Sequence, residues 1–180
     1  MLLQKEKTCL VLVDVQEKLI PLIHNHSDVV NRCQWLMRLA RELSVPCVVS
    51  EQYPRGLGHT VPELLQDNHS TIIEKVHFSC WREPSFKNEL QTINRDQIVL
   101  IGIETHVCVL QTAIDLHDAG FQVFVVVDAV GSRNELDYRY GLKRMKQTGV
   151  HLVTSEMVFF EWVEKAGSPE FKALSQSYLK

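Results

Sequence analysis

The residue best suited to covalent chemistry is a cysteine that follows a long apolar run. Residues 98–103 are aliphatic or glycine, a short polar loop follows, and from Cys108 onward apolar residues recur at helical spacing. This pattern predicts a strand, a tight loop and a helix, with Cys108 in the first helical turn. At that position the unpaired N–H groups and the positive end of the helix dipole favour the thiolate. Cys108 is therefore the predicted nucleophile.

Two charged residues have the chemistry to assist such a thiolate. Lys75 follows the predicted third strand and could lower the pKa of the thiol, and Asp14 follows the first strand. The Asp14 carboxylate could take the thiol proton and return it to a leaving nitrogen, as general base and then general acid. Backbone N–H groups between Gly102 and Cys108 would face the developing oxyanion. Together these groups predict the attack of a thiolate on a carbonyl carbon.

Short apolar runs alternate with amphipathic stretches along the chain, which predicts alternating strands and helices. The predicted strands span residues 8–13, 45–49, 71–74, 97–101, 122–127 and 150–153. The predicted helices span residues 29–43, 109–116, 136–145, 157–163 and 170–178. Residues 53–58 contain two glycines and a proline and are a predicted loop.

This alternation indicates the fold class. Apolar strands buried on both faces and separated by helices are typical of a three-layer α/β fold, in which a six-stranded, mostly parallel sheet lies between two helical layers in a Rossmann-like arrangement. We expect residues 1–180 to form a single domain.

Polar residues follow several of the predicted strands at the point where each strand ends. Asp14, Gln52, Lys75, Cys108 and Asp128 all lie at or just beyond such an end. In open parallel sheets the carboxyl ends of the strands form the ligand-binding crevice, so these residues can converge on one site. Simple solvation of a strand end would produce the same pattern at any single position. Their coincidence favours a functional site.

The composition argues against several classes of function. The net charge of −3 comes from interspersed charges without a basic stripe, so we expect no nucleic-acid partner. No apolar run approaches the roughly 18 residues that span a membrane, and the first residues lack a signal-peptide pattern, so we expect no membrane partner. Five cysteines without a Cys-x-x-Cys pair are typical of reduced thiols in a cytoplasmic protein.

With these motifs in this order, the chain resembles the isochorismatase-like cysteine hydrolases. Segment 11–16 (Val-Leu-Val-Asp-Val-Gln) resembles the family's first-strand motif, Glu74-Lys75 its lysine strand, and segment 102–109 its cysteine loop. The resemblance covers nearly the whole chain. Segments 51–58 and 60–64 look most like the small isochorismatase-domain-containing members of the family.

The resemblance implies the isochorismatase fold and an Asp-Lys-Cys triad at Asp14, Lys75 and Cys108. It also implies an oxyanion hole formed by the amides of Glu104 and Cys108, next to a cis peptide bond between Ile103 and Glu104. Isochorismatases proper cleave a vinyl ether without a cysteine nucleophile. The presence of Cys108 therefore favours the branches of the family that cleave amides.

A metal site is not expected. The nicotinamidases of this family carry an Asp-x-His-x-x-His site after the second strand, where this chain has one histidine, His59, in residues 51–59. We therefore expect no metal ion and no other cofactor.

Several residues near the predicted crevice are candidates for contact with a substrate. They are Gln52, Tyr53, Phe78, Trp81, Glu104 and His106. Each aromatic residue could equally belong to the ordinary core or rim, and Cys80 could line the pocket or serve packing alone.

Two functions from different classes follow from these residues. The first is a cysteine hydrolase that cleaves a C–N bond of a small amide through a thioester intermediate. The alternative is a module that keeps the fold and binds a metabolite or a protein without turnover. A binding module has no need of Asp14, Lys75 and Cys108 together, which favours the hydrolase.

Aromatic residues near the carboxyl end of the chain give information about the oligomeric state. Phe159, Phe160 and Trp162 are too apolar for a free helix surface, so they are predicted to pack on the body of the protein or on a second subunit. Together with the oligomeric habit of the resembled family, this predicts a homodimer or a larger homo-oligomer.

Overall fold

The computed structural model describes residues 1–66 and 70–179, and within these ranges six strands form one sheet. The strands are β1 (Thr8–Val13), β2 (Cys47–Gln52), β3 (Thr71–Lys75), β4 (Gln97–Ile103), β5 (Gln122–Gly131) and β6 (His151–Val153). They lie in the order β3-β2-β1-β4-β5-β6, and every pairing between them is parallel. The predicted α/β fold with a six-stranded sheet is confirmed.

Helices cover both faces of this sheet. They are α1 (His26–Glu42), α2 (Pro54–Leu57), α3 (Pro62–Leu65), α4 (Pro84–Ile93), α5 (Leu110–Asp118), α6 (Glu135–Gln147), α7 (Ser155–Val163) and α8 (Pro169–Tyr178). Helices α1, α3, α7 and α8 pack into the apolar core on one face, and α4, α5 and α6 into the core on the other. None of the helices in the described ranges is long and apolar enough to cross a membrane.

The central strands explain why both faces must be covered. All six residues of β1 and all seven of β4 are buried. Leu10 and Leu12 belong to the core beside α1, whereas Cys9 and Val11 belong to the core beside α5, as the two-residue period of a strand requires. A strand that is apolar on both faces is stable only between two helical layers.

The topology places a crevice where β1 and β4 end. Strand β2 lies on one side of β1 and β4 on the other, so the order of the strands reverses at β1. Val13 pairs with Gly102, which puts Asp14 beside the loop that begins after Ile103. Such a reversal point leaves room for a ligand outside the carboxyl ends of the strands.

The structure differs from the sequence-based prediction at several element ends. Helix α4 (Pro84–Ile93) was not predicted from the sequence, and the one-turn helix α2 (Pro54–Leu57) lies within the segment predicted as loop. Both begin with proline, which is well suited to the first helical position because its missing N–H would have no partner there. Strand β2 continues to Gln52 rather than ending at residue 49, so it carries polar side chains into the crevice.

The aromatic residues of α7 face the protein's own core. Phe159 and Trp162 are almost completely buried, and the ring of Phe159 contacts those of Trp35 and Tyr178. Phe159 and Trp162 are three positions apart in a helix and therefore share its inner face. Phe160, in contrast, remains substantially exposed. Of the two predicted alternatives, packing on the body of the protein is correct for Phe159 and Trp162, so they give no support for a second subunit.

Gly102 permits the close approach of β4 to β1. Its φ of +112° lies in a region that favours glycine, and a Cβ atom at this position would lie 2.2 Å from the Val13 carbonyl oxygen. A side chain here would strain the backbone and push the two central strands apart at the point where the crevice begins.

We predict that Gly102→Ala lowers the free energy of unfolding by more than about 3 kcal/mol, because it combines backbone strain with a steric collision. Gly120→Ala is the matched control, since Gly120 has a φ of +95° but a Cβ atom there would meet nothing within 4 Å. The control should lose about 1–2 kcal/mol from strain alone. Urea denaturation measures both, and equal losses would show that the approach of Val13 is unimportant.

Candidate active site

Asp14, Lys75 and Cys108 meet at the carboxyl edge of the sheet. Asp14 follows β1, Lys75 is the last residue of β3, and Cys108 lies in the turn after β4. The Lys75 Nζ atom is 2.7 Å from Asp14 Oδ2, and the Cys108 thiol lies beside the Asp14 carboxyl group. Asp14 and Lys75 are almost completely buried, and Cys108 is 7% exposed. The cysteine is therefore the member of the cluster most open to a small molecule.

The two oxygens of Asp14 have different partners. Oδ2 faces Lys75, whereas Oδ1 accepts a hydrogen bond of 2.8 Å from the Ser50 hydroxyl group. The backbone of Asp14 is left-handed, with a φ of 51°, and its N–H donates to the Ser50 carbonyl. Ser50 thus fixes both the main chain and the carboxylate of Asp14.

The Lys75 ammonium group is surrounded by oxygen acceptors. It donates to Gln52 Oε1 at 2.5 Å, to the Phe78 carbonyl at 2.9 Å and to the His77 carbonyl at 3.2 Å, and the ion pair with Asp14 adds a fourth oxygen. Gln52, a candidate for contact with a substrate, has its side-chain oxygen directed at Lys75. The buried cation is therefore held by both side-chain and main-chain oxygens.

The protonation states follow from burial and from the mutual fields of these groups. Burial raises the pKa of Asp14, and the nearby Lys75 only partly offsets this. Burial acts to lower the pKa of Lys75, but the contact with Asp14 and the fields of Cys80 and Cys108 together outweigh it and the pKa is raised, so the amine is an ammonium. The pair therefore joins an ammonium group to a carboxyl group that is more basic than usual.

The expectation that the position of Cys108 favours the thiolate is wrong. Burial raises the pKa of the Cys108 thiol, and the negative charge of Asp14 raises it further, while Lys75 lowers it in part. Cys108 also lies in a π-helical turn, Thr105–Val109, that precedes α5 instead of in the first turn of an α-helix. The resting site therefore holds a neutral thiol next to a carboxylate that can take its proton.

The turn that carries Cys108 is closed by the main chain of Glu104. The Glu104 carbonyl accepts from the N–H groups of Val107 and Val109 at 3.1 and 3.2 Å. The Ile103–Glu104 peptide bond is cis. This arrangement places the Glu104 and Cys108 amides in one short turn at the end of β4.

Some of the remaining candidate residues lie around the cluster of Asp14, Lys75 and Cys108, and others lie farther from it. Glu104 accepts from the Arg133 N–H and from Arg133 Nε, both at 3.1 Å, and His106 Nδ1 is 3.0 Å from Ser132 Oγ. Tyr53 and Phe78 are about half exposed, and the Phe78 carbonyl binds Lys75. Glu104, His106, Tyr53 and Phe78 lie around the cluster.

Trp81 does not join the site. Its ring lies edge-on to that of Phe121, with 5.3 Å between ring centroids, and below the Lys87 ammonium group. Phe121 precedes β5, at the amino end of the sheet, so the structure directs this indole away from the crevice. Asp128 also lies elsewhere: its carboxylate accepts from the Ser155 N–H and hydroxyl groups, and it does not bond to the cysteine turn.

Two buried residues of the site, Ser50 and Gln16, were missed by the sequence-based prediction, and Cys80, for which pocket lining and packing were both open, lies against Ser50. Ser50 supports Asp14, the Cys80 thiol donates to the Ser50 hydroxyl group at 3.4 Å, and Gln16 bonds to the main chain of Gln52. Burial raises the pKa of Cys80 to about 11, which leaves it a neutral donor. The one available signal for Ser50 was a hydroxyl group directly after the predicted strand 45–49, and the register opposite Val13 gives this residue its role.

The loop after β2 is anchored by a buried carboxylate. Glu51 accepts from the Thr60 N–H at 2.7 Å and from the Thr60 hydroxyl group at 2.8 Å, and its Oε2 atom is 2.9 Å from His59 Nδ1. His59 is the histidine of the segment compared with the nicotinamidase metal site, and its ring is mostly exposed. Among residues 1–66 and 70–179, no group of three or more His, Cys, Asp or Glu side chains is arranged to hold a metal ion.

The Glu51–His59 pair predicts a pH dependence. The hydrogen bond to Glu51 raises the pKa of His59 above its ordinary value of 6.5, so the pair stabilises the loop below that pH and this contribution is lost as the pH rises through the raised pKa. Burial acts to raise the pKa of Glu51, but its hydrogen bonds to Thr60 and His59 lower it overall. The stabilisation from Glu51 is therefore present above its unfolded value of 4.5 and is lost as the pH falls through the lowered pKa.

An NMR titration of the His59 ring measures this effect. Glu51→Gln should bring the pKa of His59 down toward its ordinary value. Glu63→Gln, on the exposed side of α3, is the control and should leave the titration as in the wild type. An unchanged titration in Glu51→Gln would contradict the proposed cause of the shift.

Comparison with known proteins places the chain in a family. Residues 8–157 match the isochorismatase domain family. The chain is 38% identical to isochorismatase family protein 1B of Dictyostelium discoideum over 176 residues, covering 94% of this chain and 84% of the relative. It is 41% identical to mouse isochorismatase domain-containing protein 2A over 173 residues, covering 95% of this chain and 82% of the relative.

Solved structures give the same result. The MAR1 ribonuclease from Caenorhabditis elegans superposes with a TM-score of 0.93 at 37% identity, covering 100% of this chain and 93% of that one. The YcaC gene product of Escherichia coli, an octameric hydrolase of unknown specificity, superposes with a TM-score of 0.88 at 27% identity, covering 99% of this chain and 96% of that one. With its domain match, its relatives and its fold in agreement, the chain belongs to the isochorismatase-like hydrolase family.

Proposed function

We propose that this protein is a cysteine hydrolase that cleaves the C–N bond of a small amide through a thioester intermediate. The observation that carries the proposal is the buried contact of Asp14 with both Lys75 and Cys108. A nucleophile, a base for its proton and a fixed cation are the groups that such a reaction needs.

In the first half of the reaction, Asp14 takes the proton of the Cys108 thiol as the sulfur attacks the carbonyl carbon. The carbonyl oxygen gains the negative charge, and the amides of Glu104 and Cys108 are the proposed donors that stabilise it. When the C–N bond breaks, Asp14 returns the proton to the leaving nitrogen. The products of this half are a free amine and an acyl group joined to Cys108 as a thioester.

In the second half, water attacks the thioester. Asp14 accepts a proton from the water, the C–S bond breaks, and the departing sulfur takes the proton back as a thiol. A carboxylic acid is released and the site returns to its starting state. The raised pKa of Asp14 suits this role, because a carboxyl group must hold the proton briefly in each half.

The surroundings of the site support a small substrate with an apolar portion. Only a small part of Cys108 is exposed, which restricts the size of the group that can reach it. Tyr53 and Phe78 contact Lys75 through their main chains, and their half-exposed rings are the proposed cover for an apolar portion of the substrate.

A ribonuclease activity, which is associated with the C. elegans MAR1 protein by name, is not the function that we propose. A net charge of −3 from interspersed charges lacks the basic surface that binds a phosphate backbone. The proposed cluster also supplies acyl-transfer chemistry, in which the electrophile is a carbonyl carbon.

We further propose that the protein forms a homo-oligomer. Large apolar side chains remain exposed on its surface, including those of Leu22, Val76, Leu136 and Tyr140. The octameric assembly of YcaC, with the same fold, supports an assembly of several copies.

The hydrolase proposal predicts the behaviour of three variants. Asp14→Asn should lower single-turnover hydrolysis of an amide by about 10²–10⁴-fold, the usual contribution of a general acid–base. It should stay folded, because Gln52 and two main-chain carbonyls still accept from Lys75. Cys108→Ala should give no acyl adduct by intact-protein mass spectrometry. Asp128→Asn, which changes a carboxylate outside the cluster, is the matched control and should turn over like the wild type.

Two outcomes would contradict the proposal. One is equal turnover by Asp14→Asn and wild type. The other is the absence of an adduct across a broad panel of amides whose members still bind, which would favour the binding module without turnover. A parallel assay with single-stranded RNA tests the ribonuclease alternative, and cleavage that is lost in Cys108→Ala would favour it.

The role of Lys75 predicts a change in thiol reactivity. Since Lys75 lowers the pKa of Cys108 against the larger effects of burial and Asp14, Lys75→Met should raise that pKa and slow alkylation by iodoacetamide at pH ~8.5 by about tenfold. Lys87→Met, near the Trp81 ring, is the control. Mass spectrometry of the Cys108 peptide gives the rates, and equal rates in Lys75→Met and wild type would rule out the electrostatic role.

A further inference from the structure

We propose that Gln52 is a positioning residue that acts through Lys75, and that it fixes this lysine as a charge that donates no proton to the substrate. The proposal rests on the proposed hydrolase function. It changes the role of Gln52 from a contact with the substrate to a support of the reacting cluster.

The protein occupies the full hydrogen-bonding capacity of Lys75. An ammonium group has three N–H donors. Four oxygens lie within reach: Asp14 Oδ2 at 2.7 Å, Gln52 Oε1 at 2.5 Å, and the Phe78 and His77 carbonyls at 2.9 and 3.2 Å. Every N–H of Lys75 is therefore engaged by the protein, and none is left for the thiol or for a leaving group.

The orientation of the Gln52 amide group is fixed by the main chain. Its Nε2 atom donates to the Val76 carbonyl at 2.8 Å, which directs Oε1 to Lys75. Gln52 and Lys75 are also partners in the register of β2 and β3, so their side chains leave the sheet on the same side. The amide is thus oriented before any substrate arrives.

The main chain of Gln52 is held in turn by a second glutamine. Gln16 Oε1 accepts from the Gln52 N–H at 2.7 Å, and Gln16 Nε2 donates to the Gln52 carbonyl at 2.9 Å. Gln16 Nε2 also donates to the Gly58 carbonyl at 2.7 Å. Gln16 and Gln52 together connect the ends of β1, β2 and β3 with the loop that follows β2.

Lys75 and Asp14 consequently have different roles beside the nucleophile. The titratable groups that face Lys75 are Asp14, Cys108 and Cys80. With the lysine held in place by Gln52, its charge keeps a constant position relative to the Cys108 sulfur, and Asp14 is the group of the cluster that moves a proton. Loss of the Gln52 oxygen would let the ammonium group shift toward its other acceptors and away from this position.

The test compares two variants that remove the contact with one that keeps it. Gln52→Met has a similar length without the oxygen, and Gln52→Asn is too short to reach Lys75. Gln52→Glu keeps an oxygen acceptor at the same distance. Gln97→Met is the matched control, because Gln97 is an equally buried glutamine at the amino end of β4 that bonds to Gln4, Leu2 and Gln122.

Two readouts distinguish positioning from other roles. With an amide that gives a Cys108 adduct, Gln52→Met and Gln52→Asn should lower kcat by about 10–100-fold while KM stays within about twofold, the size of effect that a misplaced group produces. Gln52→Glu should recover part of kcat. The second readout needs no substrate: alkylation of Cys108 by iodoacetamide between about pH 7 and 10 should be slowed by about threefold to tenfold in Gln52→Met and Gln52→Asn. Gln97→Met should leave both readouts unchanged.

Specific results would overturn the proposal. A raised KM with unchanged kcat and unchanged alkylation would make Gln52 a substrate-binding residue. A lowered melting temperature without a change in kcat or alkylation, as in the Gln97→Met control, would make it a structural residue. If no amide forms an adduct, the hydrolase function fails, and the alkylation rates alone then decide whether Gln52 positions Lys75.

Discussion

The buried ion pair between Asp14 and Lys75 is the constraint on which the rest of the site depends. Removing two charges from water is costly, and their attraction offsets that cost only when the geometry is good and the remaining polar atoms are satisfied. Here Ser50 bonds to the second oxygen of the carboxylate, and three oxygens besides Asp14 accept from the ammonium group. The pair therefore requires a specific set of neighbours, and two of them come from the strand between its members.

The sheet order explains why that strand is β2. Lys75 ends β3 and Asp14 follows β1, so the ion pair spans the intervening strand. Neighbouring strands lie about 4.8 Å apart, so the partner of Asp14 must have a long side chain to cross β2. The small side chain of Ser50 leaves room for this crossing, and Gln52 supplies an oxygen along it. The long side chain of Lys75 thus reaches the short side chain of Asp14 past the β2 residues Ser50 and Gln52.

The three clustered residues could be located from the sequence because each lies at or just beyond a strand end and within a recognisable motif. The expectation that carboxyl ends of parallel strands share one edge brings Asp14, Lys75 and Cys108 together, but the same reasoning also included Asp128, which lies elsewhere. The protonation state of Cys108 could not be obtained in the same way, because burial and the field of Asp14 are properties of the folded chain. The sequence suggests a helix dipole at Cys108, but the residue lies in a π-helical turn before α5.

Side-chain direction was the other property that the sequence did not contain. Trp81 is close in sequence to the Lys75 strand end, yet its contact with Phe121 turns it away from the crevice. Gln52 was recognised as a strand-end residue, but its bond to Lys75 depends on the register of β2 and β3. The sequence also did not show what Phe159 and Trp162 contact, because an apolar helix can pack on the core of its own chain as well as on another subunit.

The contact between α6 and the cysteine turn leaves no room for a side chain between them. A Cβ atom at Gly141 would lie 3.1 Å from the His106 Cα atom, so helix and turn are already packed main chain against main chain. No side chain stands at this contact that could change rotamer to relieve a collision. Any side chain at position 141 would have to move α6 away from the turn that carries Cys108, so the absence of a side chain on the helix helps to fix the position of the sulfur.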